Sequence, residues 1–317
     1  MKKLLSTALL ATFAFFAFVG CAEHKKEDTK DVAKKKTIIA VIPKINNPLF
    51  EEVKQNAKAM GDSLGIIVTW EAPSGVEAAE QSEIIDNLIK YKVDGILISC
   101  ANSAEVTPAI NRAVEAGITV ATFDSDAPNS KRLFYVGTNN LLAGQMAGLE
   151  MKRLFETKKM APEKIQLISG NPDAYNMIRR QKGFSETVTP QAISGLTYSF
   201  DINDYAGDLI NDAVKSNPKG IQFLWGVPAI EGIATTESLD KYVQKGGIVV
   251  FFDTSDELMK NIKKYPTVST IKQDFKAMAK EGILHLDQSL QGKQVMEGYI
   301  FDPIVINHLN IDSISTK

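Results

Sequence analysis

The stretch TIIAVIPKINNPLFEEVKQNAKAMGDSL, residues 37–64, decides the fold class. It begins with an unbroken apolar run that stops at Pro43, a pattern typical of a strand buried on both faces in a parallel sheet. Apolar residues then recur at spacings of three and four, which predicts the apolar stripe of a helix: Phe50, Val53, Ala57, Met60 and Leu64. Open α/β sheets bind ligands beyond the carboxyl ends of their strands, so the turn 44–50 is the first place to look for function.

The same alternation of apolar runs and helical patterns continues along the chain. The further predicted strands are 66–70, 95–99, 119–123, 134–137, 164–169, 196–200, 221–225, 248–252 and 268–271. The helices predicted between them are 78–91, 106–116, 141–155, 177–187, 205–216, 230–243, 257–263 and 275–290. Strands that alternate with helices pair in parallel through right-handed crossovers. Because the rhythm restarts after the irregular stretch 128–133, we predict an α/β protein with two doubly wound parallel-sheet halves.

The first residues have the character of an export signal. Met-Lys-Lys is followed by an apolar run from Leu4 to Val19 and then by Gly20 and Cys21. This run is too short to span a membrane comfortably, so residues 1–20 are predicted to be a signal peptide. Phe18 to Cys21 also resembles the lipobox of bacterial lipoproteins, which predicts lipidation of Cys21, and residues 21–36 then form a charged, lipid-anchored tether. A plain secreted protein that is cut elsewhere is the alternative.

Charge and cysteine content narrow the class of protein further. Of 36 lysines and arginines, Lys2 and Lys3 lie in the predicted signal, so 34 basic side chains face 38 acidic ones after it. This near balance argues against a nucleic-acid partner. With Cys21 lipidated, Cys100 is the only other cysteine, so no intramolecular disulfide is expected.

Polar residues follow several predicted strands at the point where each strand ends. Asp124 and Asp253 each come directly after a buried apolar run, and Gln273 follows the last predicted strand. We expect the two carboxylates to face a shared crevice, with Asn47 from the first turn beside them. Helix capping is the alternative role for each, and it is strongest for Asn47, which precedes Pro48.

This set of side chains suits a sugar. Hydroxyl groups both donate and accept, and carboxylates, amides and guanidinium groups match them through bonds worth about 1.5 to 3 kcal/mol each. Aromatic rings cover the apolar faces of a sugar, and Phe50 and Trp225 lie at candidate positions. A phenylalanine at helical spacing, such as Phe50, is more often a core residue, so Trp225, which ends a predicted strand beside Gly226, is the stronger candidate of the two.

The run Asn46-Asn47-Pro48-Leu49-Phe50 resembles the first binding loop of the periplasmic ribose/galactose-type sugar-binding proteins. Further segments match the same family in the same order: Thr122 to Asp126, Val136 to Asn140 with Gly144, Arg180 with Gly183-Phe184, Phe251 to Asp253, and Thr270 to Gln273. The similarity runs from Lys36 to about Asn310. Each segment is weak alone, but the set is specific.

The resemblance implies that Asn47, Phe50, Asp124, Asp253 and Gln273 contact the sugar. It also implies that Arg180 or Asn176 adds a donor from the second lobe. Ser125 and Trp225 are predicted to bind the ligand as well. The ribose binders have an arginine where this chain has Ser125, and an asparagine where it has Trp225-Gly226, so ribose itself is disfavoured. The Phe-Asp-Ser-Asp run at 123–126 also resembles relatives that bind the autoinducer-2 furanose or deoxysugars such as rhamnose.

The family fold implies two lobes joined by a three-crossover hinge, with the ligand enclosed between them. Lobe 1 is expected to hold residues 37–138 plus 274–302, and lobe 2 residues 139–273 plus 303–317. The implied function is an exported solute-binding lipoprotein that delivers a small monosaccharide or related polyol to an ABC permease. We expect a monomer that needs no cofactor, binds no nucleic acid and meets the membrane through its lipid anchor only.

Two other classes of function are weighed against this one. A sensory ligand-binding protein for a chemoreceptor or sensor kinase shares the same lobes and stays open. A glycosidase that uses Asp124 and Asp126 is disfavoured, since residues two apart after one strand need not flank one bond. No metal site is expected, because His24, His285 and His308 are scattered. A transcriptional regulator needs a DNA-binding head where this chain carries an export signal.

Overall fold

A computed structural model of the chain describes residues 36–75, 77–199, 203–226 and 237–314. The predicted signal peptide, Cys21 and the tether up to residue 35 therefore lie outside the described residues. Within the described part, no helix combines the length and the apolar character that crossing a membrane requires.

Twelve strands and ten α-helices alternate through this part of the chain. The strands are β1 (Ile38–Ile42), β2 (Ile67–Trp70), β3 (Gly95–Ile98), β4 (Thr119–Phe123), β5 (Tyr135–Thr138), β6 (Ile165–Ser169), β7 (Ile193–Tyr198), β8 (Gly220–Gly226), β9 (Ile248–Phe252), β10 (Val268–Lys272), β11 (Gly298–Phe301) and β12 (Ile304–Ile306). The helices are α1 (Glu51–Leu64), α2 (Ala78–Tyr91), α3 (Ser103–Glu115), α4 (Asn140–Thr157), α5 (Tyr175–Thr187), α6 (Asn203–Lys215), α7 (Glu237–Gln244), α8 (Asp256–Lys264), α9 (Phe275–Leu290) and α10 (Ile311–Ile314). Short 3-10 helices occupy Pro48–Phe50 and Pro190–Ala192.

The strands form two six-stranded sheets, in the orders β11-β5-β4-β3-β1-β2 and β12-β10-β9-β8-β6-β7. We call the half built on the first sheet lobe 1 and the half built on the second sheet lobe 2. The chain passes from one sheet to the other after β5, after β10 and between β11 and β12. The predicted α/β fold of two doubly wound lobes is confirmed, while the residue boundaries expected for each lobe stay a prediction.

Helices cover both faces of each sheet. In lobe 1, α1 and α9 pack on one face and α2 and α3 on the other. In lobe 2, α4 packs on one face and α6, α7 and α8 on the other. Both faces of the central strands are therefore buried, which explains their unbroken apolar sequences.

The sequence did not predict the last two strands. β11 pairs in parallel with β5 at the edge of the first sheet, and β12 pairs antiparallel with β10 at the edge of the second. They are four and three residues long, and only one of their residues is fully buried. Pro303 lies between them, at the third passage from one sheet to the other.

Two glycines let α4 and α5 approach until their backbones touch. A Cβ atom built on Gly144 lies 2.0 Å from the carbonyl oxygen of Arg180, and one built on Gly183 lies 2.1 Å from that of Leu141. Neither obstacle is a flexible side chain that could move away. The close contact brings Arg180, on α5, to the first turn of α4.

Replacing Gly144 with alanine forces these two helices apart. We expect Gly144→Ala to lower the free energy of unfolding by about 1 to 3 kcal/mol, the usual cost of overpacking, although alanine is the better helix former. Urea unfolding followed by circular dichroism measures the difference. Gly75→Ala is the matched control, because its new Cβ meets nothing closer than 3.6 Å. Equal stability of the two variants contradicts the prediction.

Candidate functional site

Two aspartates occupy equivalent positions in the two lobes. Asp124 follows β4 and Asp253 follows β9, and both have a left-handed backbone, with φ of 52° and 64°. Aspartate tolerates this conformation better than most residues do. Each backbone N–H donates to the next strand of its sheet, to Val136 O at 3.2 Å and to Ile271 O at 2.8 Å. The same local structure thus places one buried carboxylate at the carboxyl end of each sheet.

The carboxylate of Asp124 bonds to both lobes. Its Oδ2 accepts a hydrogen bond from Ser99 Oγ of lobe 1 at 2.9 Å, and its Oδ1 accepts one from Asn176 Nδ2 of lobe 2 at 3.1 Å. Asn171 of lobe 2 also donates through Nδ2 to Ala101 O of lobe 1 at 3.2 Å. The carboxyl ends of the two sheets therefore face each other and are in contact.

The carboxylate of Asp253 is buried, and only one of its two oxygens has a hydrogen-bond partner among the described residues. Its Oδ1 accepts from Gln273 Nε2 at 2.9 Å, whereas the buried Oδ2 has no hydrogen-bond partner among the residues that the structure describes. Burial raises the pKa of Asp253 to about 6, against the lowering effects of Arg180, Gln273 and Lys44. The negative charge of Asp124 adds to the rise in the pKa of Asp253.

Gln273 relays between Asp253 and a buried arginine. Its Oε1 accepts from Arg180 Nη2 at 2.6 Å and from Thr138 Oγ1 at 2.8 Å. Arg180 is 1% exposed, donates through Nε to Asn140 Oδ1 at 2.7 Å, and places its guanidinium 4.4 Å from the centre of the Phe252 ring. The first and second passages between the sheets are thereby joined by side chains.

Three buried polar atoms at strand ends have no hydrogen-bond partner in the described part of the chain. They are Ser125 Oγ after β4, Ser169 Oγ at the end of β6, and Asp253 Oδ2 after β9. An unsatisfied buried polar group costs about 1 to 3 kcal/mol. A hydroxyl group of a ligand matches such atoms chemically, since it both donates and accepts hydrogen bonds.

Two predicted site residues have structural roles. Asn47 caps the 3-10 helix at Pro48, since its side chain accepts from Leu49 N at 2.9 Å, and this confirms the capping interpretation. The ring of Phe50 is 1% exposed and packs edge-on against Phe123 and Phe275 in the core of lobe 1. Sugar contact by either residue stays a prediction.

Most of the other predicted site residues lie together at the contact between the lobes. Asn176, Asp124, Ser125, Asp253 and Gln273 are buried together where the lobes meet. The donors of Arg180 are directed at protein oxygens, which favours a positioning role over direct contact with a ligand. Trp225 ends β8, but its side chain lies outside the described residues.

Further residues at this meeting point were not among the predicted ligand-binding residues. Lys44, just after β1, is 6% exposed, and its ammonium is close enough to affect the pKa of Asp253. Ser99 and Ser169 follow the same rule as the aspartates, since each lies at the carboxyl end of a strand. Thr138 and Asn140 lie in the segment 136–140 that carries the family resemblance, but their bonds to Gln273 and Arg180 join residues far apart in sequence and could not be predicted from it.

Asp126, considered above as a glycosidase residue, is engaged elsewhere. Its carboxylate accepts from Arg132 Nη2 at 2.7 Å and from the backbone N–H of Ala127 at 2.8 Å. Among the described residues there is also no group of three or more histidine, cysteine or acidic side chains placed to hold a metal ion.

The raised pKa of Asp253 predicts a pH dependence of stability. Between pH 4 and 6 the folded chain holds a proton that the unfolded chain has released, so stability falls as the pH rises through this window. Compared with Asp253→Asn, the free energy of unfolding of the natural chain should fall by roughly 2 kcal/mol from pH 4 to pH 7. Urea unfolding at the two pH values measures it. Asp208→Asn, a substitution at an exposed aspartate of α6, is the control. The prediction is refuted if the free energy of unfolding changes by the same amount between the two pH values in the natural chain and in Asp253→Asn.

Comparison with known proteins supports the expectations drawn from sequence. The family described as periplasmic binding protein domain matches residues 38–294. The chain is 23% identical over 304 residues to the ribose import binding protein RbsB of Bacillus subtilis, covering 94% of this chain and 96% of that protein.

Solved structures show the same fold. The solute-binding protein of an ABC transporter from Burkholderia graminis, in complex with D-arabinose, is 27% identical with a TM-score of 0.79, covering 88% of this chain and 98% of that one. A structure described as the XylFII-LytSN complex contains a chain that is 25% identical with a TM-score of 0.76, covering 87% of this chain and 99% of that one.

These relatives are solute-binding proteins and not enzymes, which confirms the prediction that the chain is not an enzyme. The resemblance inferred from the loop at 46–50 and the strand-end segments is confirmed as well. Its two parallel-sheet lobes and a family match that spans 38–294 place the chain in the periplasmic binding protein family.

Proposed function

We propose that this chain captures a small monosaccharide or related polyol between its two lobes outside the cytoplasmic membrane and delivers it to an ABC importer. The single observation that carries the proposal is the pair of buried carboxylates, Asp124 and Asp253, at equivalent strand ends of opposite lobes. Around them lie buried polar atoms without partners in the described part of the chain. The ribose and arabinose named for the relatives are ligands of the same class.

The charges of the site favour a neutral ligand. Asp124 and Asp253 are accompanied by the buried cations Lys44 and Arg180, so the two signs balance. Hydroxyl groups of a sugar donate to the carboxylates and accept from Lys44 and from the amide of Asn176. A strongly charged ligand disturbs this balance and pays more for desolvation.

Closure follows from the same geometry. One carboxylate belongs to lobe 1 and the other to lobe 2, so a ligand that bonds to both binds only when the lobes meet. Such a ligand favours the closed state by the difference in its affinity for the two states. Direct bonds between the lobes, such as Asn176 to Asp124, add to that preference.

The identity of the sugar depends on positions where this chain departs from the ribose binders. Ser125 replaces an arginine of that family, and Trp225 stands near the place of an asparagine. We therefore propose a pentose, hexose, deoxysugar or autoinducer-type furanose other than ribose. A thermal-shift screen across these classes selects the ligand, since binding to the folded form alone raises its melting temperature.

Asp124→Asn tests the site with the sugar selected by the screen. Asparagine keeps the left-handed backbone and the shape of the side chain but removes the charge. We expect affinity to fall by about 1.5 to 3 kcal/mol, roughly 10- to 150-fold, because hydroxyl donors lose a charged acceptor. Isothermal titration calorimetry measures the change, with Asp62→Asn, at an exposed aspartate of α1 in the same lobe, as the control. Unchanged affinity in a folded Asp124→Asn chain removes Asp124 from the site.

The delivery role and the lipid anchor are tested in cells. We expect deletion of the gene to abolish uptake of the selected sugar. We expect Cys21→Ser to move the chain from the membrane fraction to the soluble fraction, because the lipid is lost. Cys100→Ala is the matched cysteine control. A Cys21→Ser chain that stays in the membrane fraction refutes the anchor, and normal uptake in the deletion strain refutes delivery.

A second candidate function is sensing without transport. It is favoured by the XylFII-LytSN complex, in which a chain similar to this one is bound to LytSN. In that case deletion leaves uptake intact but abolishes the transcriptional response to the sugar. The same deletion strain therefore separates the two functions.

A further inference from the structure

A second cleft lies at the opposite end of lobe 2 from the sugar site. It has a volume of about 440 Å³ and opens between the ends of α4, α6 and α7 and the starts of β8 and β9. Four lysines line it, namely Lys158, Lys219, Lys241 and Lys245, and no acidic side chain is among its described lining residues. Its volume lies within the range of small-ligand sites.

Compensation of helix ends explains only some of these lysines. Lys158 caps α4 and Lys245 directly follows α7, where cations offset the partial negative charge of the last carbonyls. Lys241 pairs with Glu237 within α7. Lys219 precedes β8 and has neither role. In the described part of the chain, Lys158, Lys219 and Lys245 have no carboxylate partner, so three unpaired cations line one cleft of a chain whose formal net charge is −2.

The side chain of Lys158 reaches the turn that follows α7. A Cβ atom built on Gly246 lies 2.6 Å from Lys158 Nζ, so this ammonium sits over the turn that also carries Lys245. Gly246 has φ of +88°, which favours glycine, and this leaves the space open. Unpaired ammonium groups that share a cleft repel one another, and a multiply charged anion between them removes that repulsion.

We propose that lobe 2 carries a second binding site, for a phosphate-bearing anion, at the amino ends of β8 and β9. The four lysines bind the phosphate, and Ser238 adds a hydroxyl donor. The apolar side chains of Met160, Val214 and Tyr242 contact the rest of the ligand. A soluble phosphate compound and a phospholipid headgroup share this chemistry. The site is separate from the sugar site and does not depend on the proposed function.

The first test uses the full chain and pyrophosphate as the probe, at physiological salt so that non-specific attraction is screened. We expect saturable binding by isothermal titration calorimetry, weakened at least tenfold in the double variant Lys158→Gln/Lys245→Gln. Lys58→Gln/Lys293→Gln, two exposed lysines of lobe 1, is the matched control and should bind as the natural chain does. Binding of the sugar selected by the thermal-shift screen should be the same in all three chains.

The second arm identifies the source of the phosphate. Full-length Cys21→Ser chain, which lacks the proposed lipid, is mixed with vesicles of phosphatidylcholine with or without phosphatidylglycerol. If a headgroup occupies the site, the Cys21→Ser chain binds the anionic vesicles, and the additional substitutions Lys158→Gln/Lys245→Gln weaken this binding tenfold. That result supports the site and identifies its ligand as a phospholipid headgroup. The proposal is overturned if neither probe binds, or if both bind equally well to the double variant and the control.

Discussion

The buried relay from Arg180 through Gln273 to Asp253 is the constraint on which the rest of the site depends. Gln273 accepts from the guanidinium and donates to the carboxylate, so opposite charges are linked through one amide with short bonds on both sides. Because Gln273 also accepts from Thr138, the relay ties two of the three passages between the lobes. The third is joined by Asn139 N, which donates to Phe301 O at 2.9 Å. The three passages between the lobes and the candidate site are therefore parts of one hydrogen-bonded structure.

Tight helix packing is what allows this relay to form. Arg180 reaches Asn140 and Gln273 because α5 lies against α4 with no side chain between them at Gly144 and Gly183. A buried arginine is costly to desolvate unless its donors are satisfied, and the first turn of α4, β8 and the passage after β10 each supply an acceptor. The two glycines thus help to position the guanidinium of Arg180, which is 36 residues from Gly144 and three from Gly183 in sequence.

Local sequence patterns predicted the elements of the fold and some of the site, but not the network. Strand ends located Asp124, Asp253 and Gln273, because an apolar run must stop where a sheet meets its crevice. The role of Arg180 could not be read in this way, since its partners lie 40 and 93 residues away in sequence. β11 and β12 were missed for a related reason. They are short and half-exposed, and only pairing with the distant β5 and β10 makes them strands.

The equivalent positions of the two aspartates explain how one small ligand can bond to both lobes at once. Each follows a phenylalanine, has a left-handed backbone, and has a carbonyl oxygen held by a side chain of the next strand, Tyr135 at 2.9 Å and Thr270 at 2.6 Å. Neither carboxylate can shift far without breaking these bonds, so their separation depends on the angle between the lobes. A ring of hydroxyls that bonds to both therefore selects one angle. Under the proposed function, selectivity among sugars is then left to positions outside these bonds, such as Ser125, whose buried hydroxyl has no partner in the described part of the chain.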